Sequence, residues 1–317
     1  MLRNLFAGHH SPVPFALNDL TALLPSDESD FAFGVIPRIR AALPTSQAAI
    51  DHPELVNCSS RSLFGAVIQG YKFWGQIARG ACLDGGGPKI GDVQLWDNAS
   101  PYSQQSMALL EWEAGLSKEH TWTEWNLRVY KAQNLDIAYT SIFLAIRLCN
   151  IVLRRTYLAE IKAGILSRDT HILFWENMSE ELFSNVLSLH QGIAVYLANR
   201  PLTEGFPPLL AFSAYLCGSL ATQLWRCPQL CPRLAHRSES IVDRSKKDLL
   251  QICSAWPIAA HWHKALELAS AELPSLNAVD MPESQRFDQA FMVRTVPAIL
   301  MHNTYPCTVP RYYISRE

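Results

Sequence analysis

The sequence predicts an all-α protein, an irregular multi-helix domain, on three observations. Apolar residues recur at steps of three and four through several long stretches. No alternating strand pattern of useful length occurs, and no fixed-period repeat. The 317 residues are 49% hydrophobic and 18% charged, a composition able to bury a sizeable core.

The elements follow in order. Residues 1–58 are broken by prolines at 12, 14, 25, 37, 44 and 53 and carry the acidic cluster Asp27, Glu28 and Asp30. They read as an irregular connecting segment with short helical turns. From residue 59 the pattern becomes helical: Leu63, Val67, Tyr71, Trp74 and Ile77 share one face, with Ser59 or Ser60 as cap. Gly80 and the run Gly85–Gly86–Gly87 are expected to stop that helix. Further helices are expected over Tyr102 to Leu116, Leu127 to Tyr157 and His171 to Asn199, the last stopped by Pro201. The stretch Ile137 to Leu153 is apolar nearly all round and should be buried on most sides. Ser238 to Ala255 and Ala259 to Leu273 form a final pair, broken at Trp256–Pro257 because proline cannot continue a helix. The domain division is therefore 1–58, a helical domain over 59–275, and a weakly patterned tail over 276–317.

Charge and cysteine usage narrow the function classes. A net charge of −2 argues against a chain-wide electrostatic grip on phosphate. Eight cysteines, at 58, 82, 149, 217, 227, 231, 253 and 307, are too scattered for a disulfide scaffold and read as free thiols in the cytosol or nucleus. Met1 to His10 has no long apolar run, so no signal peptide is expected. Gly205 to Trp225 has no charged residue, but Pro207, Pro208, Ser213, Thr222 and Gln223 dilute it, and a buried core helix is expected in place of a membrane span.

The search for chemistry assigns no catalytic, cofactor-binding, metal-binding or DNA-binding residue. The nucleophile-elbow, zincin, P-loop and dinucleotide motifs do not occur. Gly85–Gly86–Gly87–Pro88 follows no strand, and Pro88 lacks the donor a phosphate loop needs. Cys227-x3-Cys231 with His236 offers zinc three ligands where four are wanted, and reads as a packed loop. His261 and His263 stand two apart on a helix and do not face each other; His9–His10 is an unremarkable terminal pair. Glu111 with Glu113 and Glu180 with Glu181 read as solvated helix faces, and the clustered aspartates of a helical diphosphate cyclase are missing. Arg154–Arg155 and Arg244-x-Lys246–Lys247 read as solvated helix ends. Trp74, Trp112, Trp256 and Trp262 read as core anchors.

Several blocks, taken in order, resemble the middle homology region of fungal binuclear zinc-cluster transcription factors. They are Leu24–Pro25–Ser26–Asp27–Glu28 with Phe31 and Phe33–Gly34; Leu63 to Ala81 with Tyr71, Trp74 and Arg79; Leu110–Glu111–Trp112 through Leu116 to Trp122; Ile151 to Leu158; and Trp256–Pro257-x-Ala259 with Trp262. Together they span about residues 1–275. Ser117 and Thr156 stand where the family usually has proline. The resemblance implies a nuclear regulatory portion of a factor controlling RNA polymerase II transcription. It implies a protein partner or self-association, room for a small effector, and no membrane. In full-length relatives an N-terminal six-cysteine cluster holds zinc and reads DNA; its C-x2-C-x6-C spacing is not in these residues, and no cysteine precedes Cys58. No cofactor is thus expected in this chain. Two other readings stay open: a standalone helical protein that modulates intact zinc-cluster factors, and, more remotely, a helical small-molecule binder or enzyme.

Overall fold

The computed structural model describes residues 17–37, 40–57, 62–83, 93–168, 170–201 and 204–271. Among these residues the secondary structure is helical throughout, with twelve α-helices and no strand.

Residues 17–37 and 40–57 form an arm. Its prolines limit it to two five-residue helices, α1 (Glu28–Ala32) and α2 (Gln47–Asp51), and two 3-10 turns, Leu17–Asp19 and Pro53–Asn57. Each helix carries its own cap: Asp27 Oδ1 accepts from Ser29 N at 2.9 Å, and Ser46 Oγ accepts from Ala49 N at 3.2 Å. The arm buries only two small clusters, Leu24 with Ala41 and Leu43, and Ala42 with Ala48 and Ala49. Arg40 ties its two runs together by donating to the carbonyls of Leu24 and Leu23, at 2.9 and 3.1 Å.

The body begins with α3 (Leu63–Leu83). Its N-terminus is capped twice. Ser62 Oγ accepts from Gly65 N at 3.0 Å, and the Glu28 carboxylate of the arm accepts from Ser62 Oγ, Leu63 N and Phe64 N at 2.8 to 3.1 Å. A helix start leaves its first N–H groups unpaired and bears partial positive charge, so an anion there satisfies both. Here the anion comes from more than thirty residues upstream.

Then follow α4 (Pro101–Ala114), α5 (Glu124–Ala132), α6 (Asp136–Arg155), α7 (Leu158–Ser167) and α8 (Ile172–Asn199). The chain closes with α9 (Leu210–Arg226), the short α10 (Pro232–Ala235), α11 (Ser238–Ile252) and α12 (Ile258–Ala271). Helix α6 is the axis: α3, α4, α5 and α8 all lie against it. Helix α9 is a second axis, covered by α8, α11 and α12. Both are apolar on most faces, so both need neighbours on most sides. Gly192 lets α8 approach α6, because a β-carbon there would strike the Phe143 ring.

The uncharged stretch is a buried core helix, as its dilution by polar residues implies. Among the described residues one helix, α6, is long and apolar enough to cross a membrane; it is mostly buried within the protein and buries Asp136 and Arg154. The break at Trp256–Pro257 separates α11 from α12 as expected.

Three expectations need correction. The helix expected over Leu127 to Tyr157 is two helices, because Asn134 takes a left-handed φ of 59° and ends α5 one turn before α6 starts. The periodicity assigns nothing to residues 158–170, yet α7 forms there and ends at Arg168, also left-handed at φ 52°. Gly80 does not stop α3, which continues to Leu83; an interior glycine weakens a helix by about 1 kcal/mol and does not forbid it. Ser59, Ser60 and Gly85–Gly87 lie outside the described residues, as do His9, His10 and the tail beyond Ala271.

Candidate functional site

Two clusters of polar side chains tie helices of the body together. The first is a seam along α6. Arg147 and Arg154 stand seven residues apart, two helical turns, and so point the same way. Arg154 is 5% exposed; its guanidinium pairs with Glu181 of α8 (Nε to Oε2, 2.8 Å) and also meets Asn150 Oδ1 at 3.0 Å and Ser106 Oγ of α4 at 3.3 Å. Arg147 pairs with Glu113 of α4 and donates to Asn185 Oδ1 of α8 at 2.7 Å. Burial, with the neighbouring Arg154 charge, pushes the Arg147 guanidinium down to about 10, which leaves it charged at neutral pH. Each arginine therefore ties α4 and α8 to the apolar axis between them.

The second place is the loop between α9 and α10, where the sequence puts Cys227-x3-Cys231 and His236. Ser179 Oγ donates to Leu230 O at 2.6 Å, which fixes the loop on α8. The Cys231 thiol donates to Glu180 Oε2 at 2.9 Å, and Arg233 Nε donates to Glu180 Oε1 at 2.6 Å. Burial, and then the bond to Glu180, push the Cys231 thiol up to about 12, so it stays protonated and unreactive. Burial raises the Glu180 carboxyl, but the bonds from Cys231 and Arg233 outweigh it and hold the carboxyl below its usual range. Cys227 lines a shallow crevice with Lys162, Ile165, Leu166, Gln229 and Leu230, and His236 is exposed. Among the described residues no group of three or more His, Cys, Asp or Glu side chains is placed to hold a metal ion.

No family model, curated protein or solved structure matches the chain.

The remaining sequence candidates separate cleanly. His261 is exposed while His263, on another face of α12, lies 3.5 Å from Glu267. Glu111 and Glu181 are exposed, as a solvated helix face implies, while Glu113 and Glu180 are half-buried and end on Arg147 and Arg233. Arg154 likewise is a buried side chain and not a solvated helix end, because α7 and α8 continue past it. Arg244 pairs with the buried Asp248 at 2.7 Å, Lys246 lies 3.6 Å from Asp243, and Lys247 is exposed. Trp74 and Trp262 are buried against Phe212, whereas Trp112 is half-buried and donates to Gln69 Oε1 at 3.0 Å. Trp256 is half-buried on the same core. Of the cysteines, 149, 217 and 231 are buried free thiols and 227 and 253 are half-buried ones. Burial pushes Cys149 and Cys217 well up, which makes them inert packing groups.

Sequence reasoning places Glu28 in an acidic cluster and misses its role. Its signal, an acid three residues before a hydrophobic Phe31, looks local, while its role lies at a helix start 34 positions on.

Proposed function

We propose that this chain is the regulatory portion of a fungal zinc-cluster transcription factor, acting in the nucleus by helical packing. The observation that carries the reading is the order of its helical blocks, from Leu24–Glu28 through Trp256–Trp262, each a set of apolar and aromatic positions resembling that family's middle homology region. The burial of Tyr71, Trp74 and Trp262, and of Arg154 in its pair with Glu181, supports it by giving positions of those blocks packing roles. On this reading zinc and sequence-specific DNA binding belong to the N-terminal cluster of full-length relatives. The chain itself would bury a partner helix, a second copy or a small effector, and so hold an activating or DNA-binding segment in check.

A reporter assay tests it. The chain is placed between a heterologous zinc-cluster DNA-binding module and an activation segment, and output is compared with the same fusion lacking the chain. Inclusion is expected to lower basal output severalfold. Unchanged output, or a purified chain that turns over a substrate with a bound cofactor, would sink the reading.

A further inference from the structure

Two hydroxyls in the core call for an explanation. Thr140 on α6 and Tyr196 on α8 are each 1% exposed, and neither hydroxyl has a hydrogen-bond partner among the described residues. Buried hydroxyls are nearly always bonded, because one without a partner forfeits the bonds it makes to solvent in the unfolded chain. A helical threonine has a remedy close at hand, the carbonyl of the preceding turn. Ser141, Thr156, Ser213 and Thr222 each donate to it, at 2.7 to 2.9 Å. Thr140 does not, so its hydroxyl is turned away from its own helix. Trp74 Nε1 and Ser245 Oγ also lack partners, but Thr140 and Tyr196 belong to one helix pair.

The register of that pair brings the two residues to one level. Helices α6 and α8 run antiparallel: Asp136 pairs with Arg200, the Phe143 ring lies over Gly192, and Arg147 donates to Asn185 Oδ1 at 2.7 Å. Between the first two of these contacts, Thr140 stands four residues on from Asp136 and Tyr196 four residues before Arg200. Residues four apart on a helix share a face, so Thr140 looks the same way as Asp136, toward α8. The layer is closed at its outer end. The side chains of Asp136 and Arg200 are only 4% and 10% exposed. Arg200 Nε also donates to the carbonyls of Glu204 and Gly205, at 2.9 and 2.7 Å, which holds the start of the next segment against the helix ends. Phe206 of that segment meets Tyr196 edge-on, with ring centroids 6.4 Å apart.

The chemistry of the layer selects what binds there. Asp136 and Arg200 neutralise each other, so a charged guest would find no counter-charge. Ile193 and Leu197, the positions flanking Tyr196 on α8, are buried and apolar and leave the two hydroxyls as the polar groups of the layer inside the ion pair. Each hydroxyl donates once and accepts twice, so the guest must be neutral, small, and able both to donate and to accept. Water is the smallest molecule that does so, and buried waters characteristically sit on polar groups that the protein leaves without partners. We propose that one internal water molecule is bound between α6 and α8, bonded to Thr140 Oγ1 and Tyr196 Oη, and that it is part of the contact seating α8 on α6.

Chemical denaturation of the full chain carrying Tyr196→Phe, Thr140→Val or both tests it. Each change keeps the shape of the side chain and removes its hydroxyl. A hydroxyl bonded to a bridging water is missed when it goes, and the other hydroxyl then loses its partner too. Each single variant is therefore expected to raise the unfolding equilibrium constant about fivefold. The double variant is expected to lose little more than the worse single one, because the water can leave only once. Single variants as stable as the wild type, or more stable, would show that the hydroxyls have no partner to lose, and overturn the proposal. Losses that multiply in the double variant overturn it as well, since they would place the two hydroxyls in separate contacts. A high-resolution crystal structure gives the direct reading: water density within hydrogen-bond distance of both oxygens is expected, and density that reaches only one of them, or neither, sinks the site. None of these outcomes touches the regulatory reading, which stands or falls on the reporter.

Discussion

The body and the arm are made of similar residues and hold them in opposite ways. In the body, Phe183 sits at 2% exposure between α8 and its neighbours, and the arginines of the α6 seam are paired with Glu113 and Glu181. In the arm, Phe31 and Phe33 stand in water, and order comes from caps, a Schellman turn and one carboxylate reaching α3. The body is stabilised by area removed from water; the arm is stabilised by hydrogen bonds that fix a short backbone. Two such regions should respond to different perturbations, and the contrast can be broken by measurement.

The largest effect belongs to the body. Phe183→Ala is expected to cost about 3–5 kcal/mol in chemical denaturation, since a buried ring leaves both lost transfer energy and a cavity. A cost near zero would mean the body is loosely packed and the contrast false. Gly192→Ala comes next. Its new methyl would meet the Phe143 ring, itself stacked on Trp122 with ring centroids 4.2 Å apart, so the ring has little freedom to move aside. The expected cost is about 1–3 kcal/mol, read as a lower Tm.

The arm answers to its cap. Glu28→Ala removes an acceptor from three donors and an anion from the start of α3, for a cost of about 0.5–2 kcal/mol. Hydrogen exchange should quicken at Leu63 and Phe64 while the amides of α8 keep their protection. If α8 loosened equally, arm and body would be one cooperative unit.

Acidification should touch the body more gently. Burial, with the Arg244 charge of α11 facing it, lowers the pKa of His190 on α8 below its usual 6.5; Arg244 is itself bonded to Asp248. The unfolded chain then binds the proton first, so this histidine's contribution to stability falls as pH drops below that value. His120, lowered by burial and partly restored by Glu28, Glu119 and Asp27, acts in the same direction. His190→Gln should flatten the fall between neutral pH and about 5. A variant as steep as the wild type would leave His120 as the whole cause.

How much of this was legible in the sequence depends on the range of the interaction. Helix α8 shows itself through Leu182, Val186, Leu189, Ile193 and Leu197, and α11 and α12 through the proline between them. The end of α5 does not, because a left-handed residue at Asn134 leaves the apolar periodicity running on unbroken. The α6 seam is not legible: Arg154 reads as a solvated helix end, and Arg147 lies unremarked within a stretch that reads as apolar nearly all round. Which acids depends on the register of α4 and α8, and no local pattern states that. The cap by Glu28 was invisible for the same reason, since it joins two segments through a fold neither encodes alone.

The smallest effect is the one that decides the comparison. Phe31→Ala should change stability by no more than about 0.5 kcal/mol, although it removes the same ring as Phe183→Ala. The caps of α1 use only backbone groups and Asp27, so nothing in the turn depends on that ring. An outcome this small would mean that Phe31 contributes little to folding and that the arm is ordered by its hydrogen bonds. A loss of several kcal/mol would instead place the ring in an apolar contact. The arm would then be a second small core, and the contrast between the two regions would close.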